Sequence, residues 1–297
     1  MNHSFNRRSF LTLCGGVGAG LAAQLSPDKL NAETLSASAP TQSKCPIGLE
    51  LYSVRDELAR DLPNTLKKVS QIGYQVVEFY SPYFKWTPVY AKDVRSQMDD
   101  LGLRCLSTHN GFESFASAEN LNHAIELNQI LGTRYIVLAS APGSAKGLEG
   151  WKQLCQQLTT AVEQLKPHGL SAGFHNHQAE WDKLETGQRI IEVIAANTPK
   201  EFMLQLDVGT CEEAGSDPVA WVNANPGRIK TMHLKDWAPD QGYRVLFGEG
   251  KTPWKDLITA AKSVGGAEYL LIEQEGSRFS EFETAERCLK NYKQLLG

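Results

Sequence analysis

The 297-residue sequence lacks several features that mark other classes of protein. Its six cysteines lie far apart and include no CxxC pair, so a full disulfide framework is not expected. Acidic and basic residues are interspersed to a net charge of −4 without a basic stripe, which argues against nucleic acid as a partner. No GxGxxG follows the first predicted strand, so nothing favours a dinucleotide-binding sheet.

The N-terminus also lacks a run long enough to cross a membrane. Arg7-Arg8-Ser9-Phe10-Leu11 precedes a weakly apolar run from Leu11 to Leu25 that contains four glycines. This run is shorter than the ~20 strongly apolar residues that a membrane span needs, and the pattern resembles a twin-arginine export signal. We expect residues 1–39 to be a signal segment and linker cleaved after Ala39. Residues 40–297 would then form a periplasmic domain without stable membrane insertion.

After this leader the sequence alternates short apolar, β-branched runs with capped helical stretches, which is typical of a parallel sheet. The predicted strands are Ile47–Tyr52, Gln75–Phe79, Leu103–Thr108, Tyr135–Ala139, Leu170–His175, Phe202–Leu206, Ile229–His233 and Tyr269–Glu273. Eight βα units of this length predict an α/β fold, a single-domain (β/α)8 TIM barrel. An open, doubly wound sheet is the alternative.

Helices are predicted between the strands from proline in first turns and glycine at helix ends. The prolines are Pro63, Pro88, Pro218 and Pro253, and the glycines are Gly73, Gly102, Gly132 and Gly169. The predicted helices are Leu62–Gln71, Val89–Leu101, Ala118–Leu131, Glu149–Lys166, Gly187–Asn197, Asp217–Asn225, Pro253–Val264 and Glu281–Leu296.

Ionisable residues stand at the predicted carboxyl ends of the strands, where barrel enzymes place their sites. Asp207, His233 and Glu273 end the last three strands. Mixed imidazole and carboxylate ligands suit a divalent metal ion such as Mn, Co, Zn, Mg or Fe better than they suit Ca. Each residue alone is as well explained as a buried hydrogen-bonding group, but three at successive strand ends favour a metal site.

Six motifs follow one another in the order found in a known superfamily. They are Gly48-Leu49-Glu50-Leu51-Tyr52-Ser53-Val54-Arg55-Asp56, Gly173-Phe174-His175-Asn176-His177, Leu206-Asp207-Val208-Gly209-Thr210, His233-Leu234-Lys235-Asp236, Gly248-Glu249-Gly250 and Ile272-Glu273-Gln274-Glu275. Together they resemble the xylose-isomerase-like superfamily of sugar phosphate isomerases/epimerases. The resemblance implies that Asp207, His233 and Glu273 bind a metal ion and that Glu273 takes part in acid/base chemistry.

The chain departs from that pattern at strand five. The resemblance implies a fourth ligand there, commonly a glutamate, but His175 occupies the place and the nearest glutamate is Glu180. Related dehydratases place a catalytic histidine two positions later, which corresponds to His177. We therefore assign His175 to the metal and His177 to general-base duty. The reverse assignment stays open, because imidazole serves both roles.

Other polar residues near the strand ends are candidates for substrate contacts. Lys235 follows His233 by two positions and is expected to face the cavity and hold a substrate oxygen or stabilise an enediolate. The alternative for Lys235 is a surface ion pair. The predicted substrate-binding residues are Glu50, His109, Glu180 and Trp237, of which the tryptophan offers a face for stacking on a sugar ring.

The chemistry implied is removal of a proton next to a carbonyl of a sugar, polyol or keto-glycoside, followed by isomerisation or epimerisation. A lyase or dehydratase acting on a keto-sugar or inosose would use the same intermediate and stays open. A non-catalytic sugar-binding barrel is a third possibility. The endonuclease branch of the superfamily is disfavoured, because only seven histidines and a negative net charge are present. We expect a small-molecule carbohydrate partner, and self-association into a homo-oligomer stays open.

Overall fold

The computed structural model of the protein describes residues 45–296. The Arg7-Arg8 pattern and the cleavage expected after Ala39 lie outside the described residues. Within residues 45–296, no helix combines the length and apolarity required to cross a membrane.

The described residues form a closed barrel of eight parallel strands in which each strand pairs with the next and the last pairs with the first. The strands are β1 Ile47–Glu50, β2 Val76–Phe79, β3 Arg104–Asn110, β4 Tyr135–Leu138, β5 Ser171–His175, β6 Met203–Asp207, β7 Met232–Leu234 and β8 Leu270–Ile272. The predicted (β/α)8 TIM barrel is therefore confirmed, and the open doubly wound sheet is wrong.

Helices surround the barrel in the same part of the chain. They are α1 Arg55–Arg60, α2 Leu62–Ile72, α3 Pro88–Asp100, α4 Ala118–Leu131, α5 Gly147–Leu165, α6 Ile190–Ala196, α7 Val208–Glu213, α8 Pro218–Ala224, α9 Trp254–Ala260 and α10 Glu281–Leu296. The predicted start and end signals act as expected at α2. There the Asp61 side chain accepts a hydrogen bond from Asn64 N, and Gly73 ends the helix at φ 107°.

The sequence pattern predicts neither α1 nor α7. Both have six residues, too few for an apolar repeat of 3.6 residues to be recognised. Helix α7 begins directly after β6 because the Asp207 carboxylate accepts a hydrogen bond from Thr210 N at 2.9 Å. Strand β8 is shorter than predicted, so Glu273 lies one residue beyond its end rather than at its last position.

A small buried apolar cluster is formed by residues within or next to four of the strands. It contains Val76, Tyr135, Val137, Met203, Tyr269 and Leu271 and is separate from the larger core between barrel and helices. Residues two apart in a strand face the same side, so Val76 lies below Glu78 and Leu271 below Glu273. This cluster forms the floor on which the polar strand ends rest.

Candidate metal centre

The carboxyl ends of the strands bring together a connected cluster of buried ionisable side chains. Each member has a nitrogen-to-oxygen contact of 2.5 to 3.8 Å with at least one other member, and these contacts form one continuous series. The cluster consists of Glu50, Glu78, His109, His175, Asp207, His233, Lys235 and Glu273, all at most 7% exposed. The structure thus places all four predicted metal ligands in one buried cluster with Lys235, Glu50 and His109.

Two overlapping trios in this cluster have ligand atoms within 4.8 Å of one another. One trio is His175, Asp207 and Glu273, and the other is His109, His175 and His233. His175 belongs to both. Three of the predicted metal ligands therefore form one trio, and the fourth, His233, meets them through His175 and through its contact with Glu273.

His233 lies between two carboxylates. Its Nδ1 is 2.5 Å from Glu273 Oε2, and its Nε2 is 2.7 Å from Glu78 Oε2. Burial alone would lower the pKa of His233, but the charge of Glu273 and hydrogen bonds with both carboxylates raise it well above its usual value. A metal ion next to Glu273 would replace the Nδ1 contact, and Glu78 would still orient the ring through Nε2.

Gln205 connects the other two buried imidazoles. Its Oε1 is 3.0 Å from His175 Nδ1 and also contacts His109 Nε2. The remaining nitrogen of His175, Nε2, lies 3.7 Å from Asp207 Oδ2. Burial, and then the charges of His109 and His233, hold the pKa of His175 well below its usual value. A neutral His175 fixed through Nδ1 leaves Nε2 free to act as a ligand.

Glu78 anchors the cluster from strand β2. The hydroxyl of Ser107 donates to Glu78 Oε1, and Gln205 Nε2 donates to the same oxygen at 3.0 Å. Burial would raise the pKa of Glu78, but the charges of His109 and His233 and the hydrogen bonds with His233 and Ser107 lower it to about 2. Sequence reasoning overlooked Gln205 and Ser107. Strand alternation was the available signal, because Gln205 precedes Asp207 by two positions.

Lys235 is 1% exposed and belongs to the buried cluster, so its ion pairs are not at the surface as the alternative from the sequence supposed. Its Nζ is 2.8 Å from Asp207 Oδ2, 3.5 Å from Glu273 Oε1 and 2.6 Å from Glu275 Oε1. Burial would lower the pKa of Lys235, but Asp207 and Glu273 raise it well above its usual value. Lys235 is therefore a fixed positive charge beside two predicted metal ligands.

Glu180 on the rim of the cluster has a structural role. Glu180 Oε2 accepts a hydrogen bond from the backbone N–H of His177 at 2.7 Å, which leaves one oxygen of this predicted substrate contact available. The His177 side chain is exposed, and its ring centroid lies 4.9 Å from that of His175. His177 therefore stands at the solvent side of the cluster, where a substrate can reach it.

Asp236 organises the loop that follows β7. Its Oδ1 accepts hydrogen bonds from Trp237 N and Thr252 Oγ1, and its Oδ2 accepts from Gly248 N, Gly250 N and Trp254 Nε1, all between 2.8 and 3.1 Å. Trp237, a predicted sugar contact, is half-buried and is held through its backbone in this turn. The motif around Gly248 and Gly250 thus shapes a rim loop.

The donor set fits a divalent metal ion. Within residues 45–296, Asp207 Oδ2 and Glu50 Oε1 are buried oxygens without a hydrogen bond. Lys235 Nζ lies 2.8 Å from this Asp207 oxygen and forms an ion pair with it, whereas the nitrogen that faces Glu50 Oε1 is His109 Nδ1 at 3.8 Å. His175, Asp207, His233 and Glu273 supply imidazole nitrogen and carboxylate oxygen donors, which are the kinds of ligand that a divalent transition-metal ion or Zn binds.

The barrel sequence matches a known protein family. The sequence model of the xylose isomerase-like TIM barrel family matches residues 66–293. The chain belongs to this family. The resemblance inferred from the strand-end motifs is confirmed at the level of the xylose isomerase-like family, which includes sugar-modifying enzymes.

Relatives of the xylose isomerase-like barrel differ in their described reactions. The inosose dehydratase of Lacticaseibacillus casei is 22% identical over 275 residues, covering 77% of this chain and 91% of the dehydratase. The crystal structure of a sugar phosphate isomerase/epimerase from Parabacteroides distasonis superposes with a TM-score of 0.72 at 25% identity, covering 88% of this chain and 98% of that one. The IOLI protein with a bound zinc atom shares the fold at 15% identity and a TM-score of 0.64, covering 84% of this chain and 98% of its own.

Proposed function

We propose that this protein is a divalent-metal-dependent enzyme that removes a proton from the carbon next to a carbonyl of a sugar, polyol or keto-glycoside and returns it to give an isomer or epimer. The observation that carries the proposal is the meeting of His175, Asp207, His233 and Glu273 at four strand ends beside the exposed His177. When bound, the metal would supply Lewis-acid polarisation of a substrate oxygen.

The side chains in and beside the ionisable cluster have separate roles in the proposed reaction. His177 is the base, because its exposed imidazole stands next to His175 and is free of the carboxylates that engage His233. Lys235 holds a developing oxyanion, since its charge is fixed by Asp207 and Glu273 and excluded from water. Glu273 has a second role as a proton carrier to the other face of the substrate.

Glu50 and His109 orient the substrate on the opposite side of the cluster. Glu50 Oε2 accepts a hydrogen bond from Leu51 N at 2.9 Å, and Oε1 faces His109 Nδ1 at 3.8 Å. Burial, and then the charge of Glu78, raise the pKa of Glu50 well above its usual value. A carboxylic acid kept neutral in this way can donate a hydrogen bond to a substrate hydroxyl or carbonyl.

Elimination from a keto-sugar or inosose is the second candidate. It begins with the same proton removal, and a relative named inosose dehydratase spans most of the chain. The placement of His175 and His177 where the resemblance implies a glutamate favours it, because a strand-five carboxylate is absent from the predicted acid/base pair. Only the fate of the carbanion separates the two reactions.

The test is metal-dependent exchange of a carbon-bound proton. Full-length protein is stripped with a chelator, reloaded with Mn, Co or Zn, and incubated in deuterated water with ketoses, inososes and 3-keto-glycosides. We expect deuterium uptake that requires metal and is lost in Asp207→Asn but kept in the exposed control Asp240→Asn. Product mass separates isomerisation from loss of water. Sugar binding without metal uptake or exchange would support the non-catalytic barrel instead.

Export through the twin-arginine pathway is part of the proposal, supported by the Arg7-Arg8 pattern. A periplasmic location favours unphosphorylated substrates. Replacing both arginines by lysine should leave the protein in the cytoplasm on cell fractionation, and unchanged export would contradict this proposal.

A further inference from the structure

An aromatic cavity lies beside the metal centre on the same end of the barrel. It has a volume of about 490 Å³ and is formed by the segments that follow β1 and β2. Its walls include Pro63, Tyr80, Pro82, Tyr83, Trp86 and Tyr90. Cavities of several hundred Å³ with aromatic walls are the usual form of small-molecule sites.

Tyr80 links this cavity to the ionisable cluster, because burial and then the nearby charge of Glu50 raise the pKa of its hydroxyl. Phe79 and Tyr80, which line the cavity, directly follow Glu78. The Tyr80 ring meets the ring of Tyr52 edge-on at 5.3 Å, and Tyr52 stands two residues after Glu50. The Tyr80 ring thus stands between Glu50 and the cavity, with Tyr52 beside it.

The aromatic wall is held in place before any ligand arrives. Trp86 makes edge contacts with Phe79, Tyr83 and Tyr90 at centroid distances of 5.0, 6.0 and 5.3 Å. The buried Tyr83 hydroxyl donates to Asn110 Oδ1 at 2.6 Å. Tyr90 is 39% exposed and stands at the mouth of the cavity. Such a preorganised surface offers apolar area at little entropic cost.

The charges around the cavity are already engaged. Arg60 pairs with Glu57 at 2.7 Å, and the Asp61 carboxylate caps α2 through Asn64. No other charged side chain lines it among the residues that the structure describes. The cavity therefore suits a neutral group rather than a phosphate or carboxylate.

We propose that the aromatic cavity is a binding subsite for the non-reacting ring of a neutral glycoside, whose keto-sugar ring reacts at the metal centre. The inference rests on the proposed function for the identity of the reacting ring. The ring in the cavity is neutral and has an apolar face, as a second pyranose or an aromatic aglycone does. Binding energy from the non-reacting ring would position the reacting ring at the metal centre.

Binding to metal-stripped, full-length protein tests the subsite without requiring activity. Calorimetric titrations would compare methyl glucoside, phenyl glucoside and cellobiose. We expect at least one of the two-ring ligands to bind more tightly than methyl glucoside, and Tyr90→Ala to weaken that ligand about three- to tenfold. Val89→Ala is the matched control, because Val89 is 69% exposed on the same helical turn and is outside the cavity wall.

The arms of the experiment identify the ring. Tighter binding of cellobiose assigns the cavity to a sugar ring, and tighter binding of phenyl glucoside assigns it to an aromatic aglycone. Equal affinity for all three ligands, or equal effects of Tyr90→Ala and Val89→Ala, would overturn the subsite. Self-association abolished by Tyr90→Ala in sedimentation would overturn it in favour of a second copy of the chain. Failure of the proposed chemistry appears separately, as absent metal-dependent exchange.

Discussion

Lys235→Met is expected to destabilise the metal-free protein and to increase its stabilisation by metal. The buried lysine neutralises Asp207 and Glu273, whose oxygens lie 2.8 and 3.5 Å from its Nζ. Removing one partner of a buried ion pair costs about 3–5 kcal/mol, because the remaining charge is left uncompensated. For a domain of this size each kcal/mol lowers Tm by about 2–4 °C, so Tm should fall by about 6–20 °C.

A divalent cation should reverse much of that loss. Without Lys235 the two carboxylates attract the ion without competition, and saturation at 100 times Kd stabilises the folded state by about 2.7 kcal/mol. Thermal unfolding followed by circular dichroism, in chelator and in excess Mn or Zn, measures both effects. Metal should raise the Tm of the variant more than that of the wild type.

The control for this experiment is Lys255→Met, which removes an exposed lysine from α9. It should change stability by no more than about 0.5 kcal/mol, as surface substitutions usually do. The reasoning would be refuted if Lys235→Met unfolded at the wild-type temperature in chelator. A larger metal-induced rise in the wild type than in the variant would refute it as well.

Three further predictions concern the base, the rim loop and pH. His177→Ala should retain metal by elemental analysis while its turnover falls about 100-fold or more. His175→Ala should lose metal. The opposite pattern would assign His177 to the metal and His175 to the base. Asp236→Asn should cost about 3–5 kcal/mol in denaturant unfolding because three donors face Oδ2, and the exposed Asp240→Asn should be neutral. Burial raises the pKa of Glu212 from 4.5 to about 7. Between these pH values the folded protein keeps this carboxyl protonated while the unfolded chain releases the proton. The free energy of unfolding should therefore fall by about 1–2 kcal/mol as pH rises from 4.5 to 7. Glu212→Gln should flatten that decline, and an unchanged pH profile would contradict the assignment.

The sequence predicts the barrel well because each βα unit carries its own local signals. Helix starts such as Asp61-Leu62-Pro63 and helix ends such as Gly73 act through neighbouring residues, so no knowledge of distant contacts is needed. Helices α1 and α7 escape prediction because six residues show too little periodicity. Their positions depend on single contacts, such as that of Asp207 with Thr210.

The sequence predicts which ionisable residues gather at the candidate site but not the hydrogen bonds that connect them. Asp207, His233 and Glu273 stand out because ionisable residues seldom end apolar strands. Gln205 and Ser107 do not, since neutral polar residues inside strands are common, and only closure of the barrel brings Gln205 to within 3.0 Å of Glu78. Aromatic residues after β2 likewise acquire meaning only when the loops that follow β1 and β2 enclose a cavity.

The histidine at the end of β5 changes the charge of the site as well as its shape. With a glutamate in that place, three carboxylates would surround a divalent ion and give a net negative ligand set. With His175 in that place, the proposed ligand set would contain two carboxylates, Asp207 and Glu273, and Lys235 adds one positive charge within 3.5 Å of both. Such a site favours negative charge that develops on substrate oxygen. The same replacement removes a carboxylate base from β5, and this is why we propose the exposed imidazole of His177 as the acceptor of the carbon-bound proton.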